Sequence, residues 1–285
     1  MDRFSKFHPL VSFSFFIGVI VLTLVFSNSV YGALSFLCAF CYAVRLKGKK
    51  VVSFFLKFII PIVLLTAIFN MLFSHYGNTV IFAVKGIDFT AEALMAGLFT
   101  GIMIGAVMAW FSAYNEIITA DKFMALFGGF APNLALLFSM ILRFIPLMVK
   151  TANEIKEAHI GLGYETKGLK KTITRFSALI SISLEKSIET ADTMKARGFG
   201  TKKRGFYSAF EFRKSDIAAL IFVAISLVYL FIACSADISQ ITFNPVIEIQ
   251  SVNPITAFIF LIFSLLPLIA DLTEDIKWLL LKSKI

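Results

Sequence analysis

AEALMAGLFTGIMIGAVMAWFSA, residues 91–113, is an apolar run long enough to cross about 30 Å of hydrocarbon as a single helix. Within it Ala93, Gly97, Gly101, Gly105, Ala109 and Ala113 recur every four residues, so small side chains line one side of that helix. Lipid supplies no hydrophobic force between helices, and close backbone approach along such a stripe is a main source of association. The expected partner is another helix of the same chain, with a separate membrane subunit as the alternative.

Five further runs of similar character lie at roughly 10–27, 30–45, 51–73, 216–234 and 254–271. With 58% apolar residues and a mean hydropathy of +0.85, the chain is not a water-soluble globule. The first run leads almost directly into the second without a small-residue cleavage pattern, so it reads as a retained span and not as a removable signal. Cys38, Cys41 and Cys234 sit in or beside apolar segments. Cys38-x-x-Cys41 has no second Cys or His cluster near it, which favours packing over metal or redox chemistry, and no cofactor is expected.

The formal charge of +9 is unevenly placed. Residues 114–215 hold 16 of the 27 Lys and Arg residues, and positive loops stay in the cytoplasm. Arg3 and Lys6, the group Arg45, Lys47, Lys49 and Lys50, and the closing Lys277, Lys282 and Lys284 fall where six spans put the same side of the membrane. The connections Ser27–Ser29, Ser74–Thr90 and Ser235–Asn253 carry only Lys85. Both termini are therefore expected in the cytoplasm of a cell-membrane protein. Inside the spans Lys57 reads as the exception to an absence of ionisable groups, within snorkelling reach of the headgroups.

The fold class expected is an all-α polytopic membrane protein with about six transmembrane helices. Helices 1–4 occupy 1–113, a cytoplasmic or interfacial module 114–215, and helices 5–6 with a cytoplasmic C-terminus 216–285. In the module, Leu134, Phe138, Ile141, Ile145, Met148, Ala152, Ile155 and Leu162 form one helical seam, with Pro146 expected to kink it. Residues Asn133–Val149 are apolar enough to be mistaken for a span, but counting them would put the positive charge of 150–215 outside. A second helix at about 174–197 carries Phe176, Ile180, Leu184, Ile188, Ala191 and Met194 on one face. The helices stop at Gly161 and Gly163, and at Gly198 and Gly200, residues suited to left-handed C-caps. At the second stop, Met194-Lys195-Ala196-Arg197-Gly198-Phe199-Gly200, an Arg complements the negative helix end while Gly198 lets the chain turn away. A guanidinium so projected can fork onto a partner's carboxylate, or simply compensate the dipole.

Together, His8-Pro9 before the first span, Arg143-Phe144-Ile145-Pro146, Glu157-Ala158-His159, Ala196-Arg197-Gly198 and Leu266-Pro267 in the last span make the chain resemble the T component of energy-coupling factor transporters, the cobalt transport protein Q family. The resemblance implies a non-catalytic scaffold of an ATP-driven importer for a vitamin or transition-metal micronutrient. Its implied partners are a small substrate-binding membrane S subunit and two ABC ATPases, identical or different. It also implies two long, crossed coupling helices, each ending in an Ala-Arg-Gly motif that docks in an ATPase groove. Here Ala196, Arg197 and Gly198 fit the second motif, whereas Gly161, Leu162 and Gly163 stand at the first, so its contact is expected to be apolar, aided by His159 or Lys167. Arg143 and Pro146 mark the kink of the first coupling helix.

Enzymatic motifs are missing: there is no His-Glu-x-x-His or Gly-x-Ser-x-Gly, and Leu169 follows Gly168 where a P-loop needs Lys. A stand-alone secondary transporter or channel is the rival, hinted at by Pro61, Asn70 and Pro267. Lys202-Lys203-Arg204 lacks an aromatic stacking platform, which points to lipid headgroups and against nucleic acid.

Overall fold

The structure is a computed structural model and describes residues 4–26, 28–74, 79–84, 87–128, 131–163, 168–201, 210, 212–236 and 253–282. Ten α-helices appear among them: α1 (Pro9–Val25), α2 (Ser29–Lys47), α3 (Lys49–Phe54), α4 (Ile60–Phe73), α5 (Ala91–Ile117), α6 (Ala120–Gly128), α7 (Pro132–Gly161), α8 (Leu169–Ala196), α9 (Lys214–Ala236) and α10 (Pro254–Lys282). A short antiparallel hairpin, β1 (Val80–Val84) with β2 (Ile87–Thr90), precedes α5, a detail that the helical pattern does not carry. The chain divides into two compact units, Met1–Thr119 with Phe210–Ile285, and Ala120–Ala209.

The first unit is a bundle of apolar helices around an aromatic centre. Phe4, Phe15, Phe16, Trp110 and Phe263 are fully buried, with Phe15 edge-on to Trp110 at 5.7 Å and 5.2 Å from Phe263. Such edge contacts are worth about 0.5–1.5 kcal/mol each beyond area burial, which matters where lipid gives no hydrophobic drive. Trp110 donates its indole N–H to Ser35 Oγ at 3.0 Å, and that hydroxyl lies 2.8 Å from Thr23 Oγ1, so these three side chains satisfy one another.

The small-residue stripe of α5 is buried along its length. A methyl group added at Gly97 would lie 2.7 Å from Ala67 Cα, and one at Gly101 2.9 Å from Val63 Cα, so α4 approaches there at backbone distance. At Gly105 the neighbours are Ile59 and Phe36 instead. Ile59 belongs to a π-helical turn, Phe55–Ile59, that joins α3 to α4 and that no sequence period reveals. The turn buries Phe55 and Ile59 while leaving Lys57 exposed. Phe55 packs on Phe36 and Phe40, with ring centroids 5.7 and 4.8 Å away.

Among the described residues six helices are long and apolar enough to cross a membrane, but they differ from the six expected. The set includes Pro132–Gly161 and leaves out α1, whose 17 residues rise only about 25 Å. The contacts of α1 show why its shortness is tolerable. At one end Phe4 donates its N–H to Asp271 Oδ1 at 3.0 Å, and at the other Phe26 packs 4.4 Å from Tyr31 and 5.9 Å from Phe260. Helix α1 therefore traverses the bundle from end to end. By contrast only 11% of the apolar window of α7 is buried, and its membership rests on length and composition alone.

The bundle ends also sort as the charges anticipate. Phe4, Arg45 at the end of α2, and Asp271 and Asp275 of α10 meet in one cluster: Arg45 bridges to Asp275, and its Nε lies 3.9 Å from Asp271. The start of the chain, the 45–50 turn and the end of α10 thus share one end of the bundle. Lys57 is not the lone ionisable group in the apolar helices. Glu92, 3% exposed in the first turn of α5, accepts the Thr79 N–H at 3.1 Å, and Asp271 is 2% exposed near the end of the α10 window. Both are buried and partnered, Asp271 through the Phe4 N–H, and both lie at the edges of their apolar runs.

Candidate functional site

The unit Ala120–Ala209 is built on α7 and α8, 30 and 28 residues long and so about 45 and 42 Å end to end. Pro132 opens α7 in its first turn, where the missing N–H is harmless. Helix α7 continues through Pro146, whose ring removes the donor for the Leu142 carbonyl without ending the helix. The two helices meet at two polar contacts: Ser183 Oγ lies 3.1 Å from Met148 Sδ, and Lys186 Nζ donates to the buried Thr151 hydroxyl at 3.3 Å.

Away from these contacts many apolar residues of both helices are uncovered, although Ala135 is buried and Phe138 packs on Phe123 of α6. Along α8, Leu169, Ile173, Phe176, Ile180, Leu184 and Ile188 are all exposed, and on α7 so are Leu134, Phe138, Ile141 and Ile145. Of the expected α7 seam, Met148 meets the other helix and most of the rest faces outward within this unit. Uncovered apolar area on that scale marks interaction surface, with protein or with lipid.

The helix ends are alike. Helix α8 closes with the Gly198 N–H on the Lys195 carbonyl at 2.9 Å and the Phe199 N–H on the Met194 carbonyl at 3.0 Å, the paired bonds of a Schellman motif. Gly198 takes φ +81°, in the left-handed region a Cβ disfavours. On α7 the Gly163 N–H meets the Ile160 carbonyl at 3.0 Å with Gly163 at φ +77°. The cap residues match as well, Leu162 at φ −82°, ψ 4° and Arg197 at φ −83°, ψ 7°. Arg197 is exposed and Leu162 is 72% exposed, so one stop presents a cation and the other an isobutyl group on the same backbone.

Ala196 and Gly161 are the last residues of their helices, and Gly161 keeps ordinary helical geometry, so the glycine needed at the first stop is Gly163. His159 is half-buried on the last turn of α7, whereas Lys167 and Lys202-Lys203-Arg204 lie outside the described residues. No group of three or more metal-ligating side chains occurs among the described residues.

Residues 4–207 match the family described as CbiQ, cobalt transport protein. This chain belongs to that family. The match takes in His8-Pro9, Arg143–Pro146, Glu157–His159 and the Ala196–Gly198 stop, while Leu266-Pro267 lies beyond it. No match was found among curated proteins. As a cobalt transport protein family member with a bundle of membrane-length apolar helices, the chain is a multi-pass membrane protein and a component of a membrane transport complex. Sequence reasoning missed the Lys186–Thr151 contact that fixes the crossing, because residues 35 apart carry no periodic signal.

Proposed function

We propose that this protein is the transmembrane coupling subunit, the T component, of an energy-coupling factor importer. It transmits ATP-driven motion of two ABC ATPase subunits to an S subunit that carries a vitamin or transition-metal ion. The observation that carries this reading is the pair of helix stops with one backbone geometry and exposed caps, Leu162 and Arg197, on two helices that meet at Met148–Thr151 and Ser183–Lys186. A Schellman stop fixes the direction of its cap residue, and a rigid helix of about 42 Å moves that residue as a lever. Arg197 supplies a forked, charge-assisted contact to an ATPase carboxylate, and Leu162 makes an apolar contact in the corresponding groove of the other ATPase. The uncovered α8 face from Leu169 to Ile188 offers the S subunit its apolar seat. ATP hydrolysis belongs to the partner chains.

In this reading α1, α2, α3–α4, α5, α9 and α10 span the membrane, the termini are cytoplasmic, and α7 and α8 work on the cytoplasmic side. The stripe from Ala93 to Ala109 holds α5 within the bundle and leaves partner docking to α7 and α8. A free-standing transporter calls for ionisable groups near the midplane, yet Glu92 lies in the first turn of α5 and is engaged by Thr79.

The test is co-purification in mild detergent. Arg197→Glu is expected to lose both ATPases or all transport, and a variant that keeps both sinks the proposal. Membrane-impermeant labelling of Cys introduced at Leu162 is expected only from the cytoplasmic face.

A further inference from the structure

After touching at Met148–Thr151 and Ser183–Lys186, α7 and α8 diverge and enclose a cleft of about 770 Å³. That volume lies within the range of small-molecule sites. Two of its cations come from α7, Arg143 and Lys150, which are seven residues apart and therefore on one face. Two come from α8, Lys186 and Arg197. Among the described residues Glu189 is the one carboxylate on the wall, and Lys150 has a further acid within reach, Glu154 at 3.8 Å. The rest of the α7 wall is apolar, with Phe144, Pro146 and Leu147.

Three excess positive charges beside an apolar wall complement an anion carried on an apolar body. Helix α7 adds a reason to look to lipid and away from a soluble anion: it carries an 18-residue stretch of mean hydropathy 1.8, almost none of it buried. We propose that this cleft holds the phosphate headgroup of an anionic phospholipid. Arg143 forks onto the phosphate oxygens, Lys186 adds a point charge, and the upper acyl chains lie along Phe144 and Leu147. The site does not depend on the ATPase reading, since neither Arg143 nor Lys186 belongs to a helix stop. Because Arg197 lines the same cleft, a bound lipid would sit beside the α8 stop and tune its charge.

The experiment uses the full chain in nanodiscs of phosphatidylcholine containing a minor share of phosphatidylglycerol, with retained lipids counted by native mass spectrometry. Phosphatidylglycerol is expected to be retained selectively, and each of Arg143→Gln and Lys186→Gln should weaken retention about fivefold. Arg143→Lys, which keeps the charge but loses the fork, should fall between the unchanged protein and Arg143→Gln. Lys195→Gln, the same charge change on α8 outside the cleft, should keep all of it. Equal losses for Lys195→Gln and Lys186→Gln would reduce the effect to diffuse surface charge and overturn the proposal. So would displacement of the lipid by millimolar inorganic phosphate, which would make the source a free anion.

Discussion

Leu162 and Arg197 occupy equivalent places, each the cap residue between a helix end and a left-handed glycine, with φ and ψ equal to within a few degrees. Side-chain identity at these two positions is therefore separable from backbone shape. Leu162→Arg should leave the fold unchanged, within about 0.5 kcal/mol, because the side chain is largely exposed. Co-purification with the ATPases is expected to persist, since a groove suited to the missing Arg accepts it. Severe loss of binding would show that the groove facing Leu162 is strictly apolar.

The glycines of the stops should not behave alike. Gly198→Ala places a Cβ at φ +81° and should cost about 1–2 kcal/mol locally, misdirecting Arg197 and weakening ATPase capture. Gly161→Ala keeps helical geometry with no atom within 4 Å of the new methyl, so it should be neutral or slightly stabilising. ATPase pull-down with thermal melts of both variants tests the contrast.

Close approach along α5 gives a second contrast, this one inside the bundle. At Gly97 a methyl meets the Ala67 Cα at 2.7 Å and the Thr66 carbonyl oxygen at 2.8 Å, both backbone atoms that cannot swing aside. Gly97→Ala should destabilise by about 1–3 kcal/mol. Gly32→Ala, whose nearest neighbour is Met103 Cβ at 3.9 Å, should not destabilise. Tm in detergent reads the difference directly.

Arg45 should matter through what it leaves behind. Removing its charge by Arg45→Gln strips a cation from the buried Asp271 and should cost about 1–3 kcal/mol. Adding Asp271→Asn should recover part of that loss, because no buried charge then lacks compensation. A double variant no more stable than Arg45→Gln would contradict this account.

Acidification should loosen the start of α1. His8 stacks on Phe212 with ring centroids 3.7 Å apart, and its Nδ1 accepts the Leu10 N–H at 3.3 Å. Burial lowers its pKa from 6.5, opposed by the nearby Asp216 carboxylate. A depressed histidine pKa means the unfolded chain binds the proton more tightly, so stability is lost as the pH falls below about 6.5 and regained as it rises. His8→Gln should flatten the dependence of Tm on pH in that window.

The membrane class, the long helices and their glycine stops were legible because each follows a local rule: length against hydrocarbon thickness, apolar period, left-handed caps. Charge placement anticipated that the chain start, the 45–50 turn and the end of α10 share an end, which the Phe4, Arg45 and Asp271 cluster realises. What stayed hidden depends on contacts between distant residues. The π-helical turn at Phe55–Ile59 follows from packing on Phe36, Phe40 and Gly105, and the partnering of Glu92 and Asp271 needs a chain folded on itself. The α7 seam reads as suited to another helix or the membrane face; within its own unit Met148 meets α8 and Phe138 meets Phe123 of α6, while Leu134, Ile141 and Ile145 stay exposed.

That uncovered surface on α7 and α8 has a cellular price. A chain synthesised in excess of its companions would present greasy helices to chaperones and proteases, so orphan copies should be short-lived. Abundance of the protein would then follow the supply of the subunits that clothe it, turning quality control into a gauge of assembly.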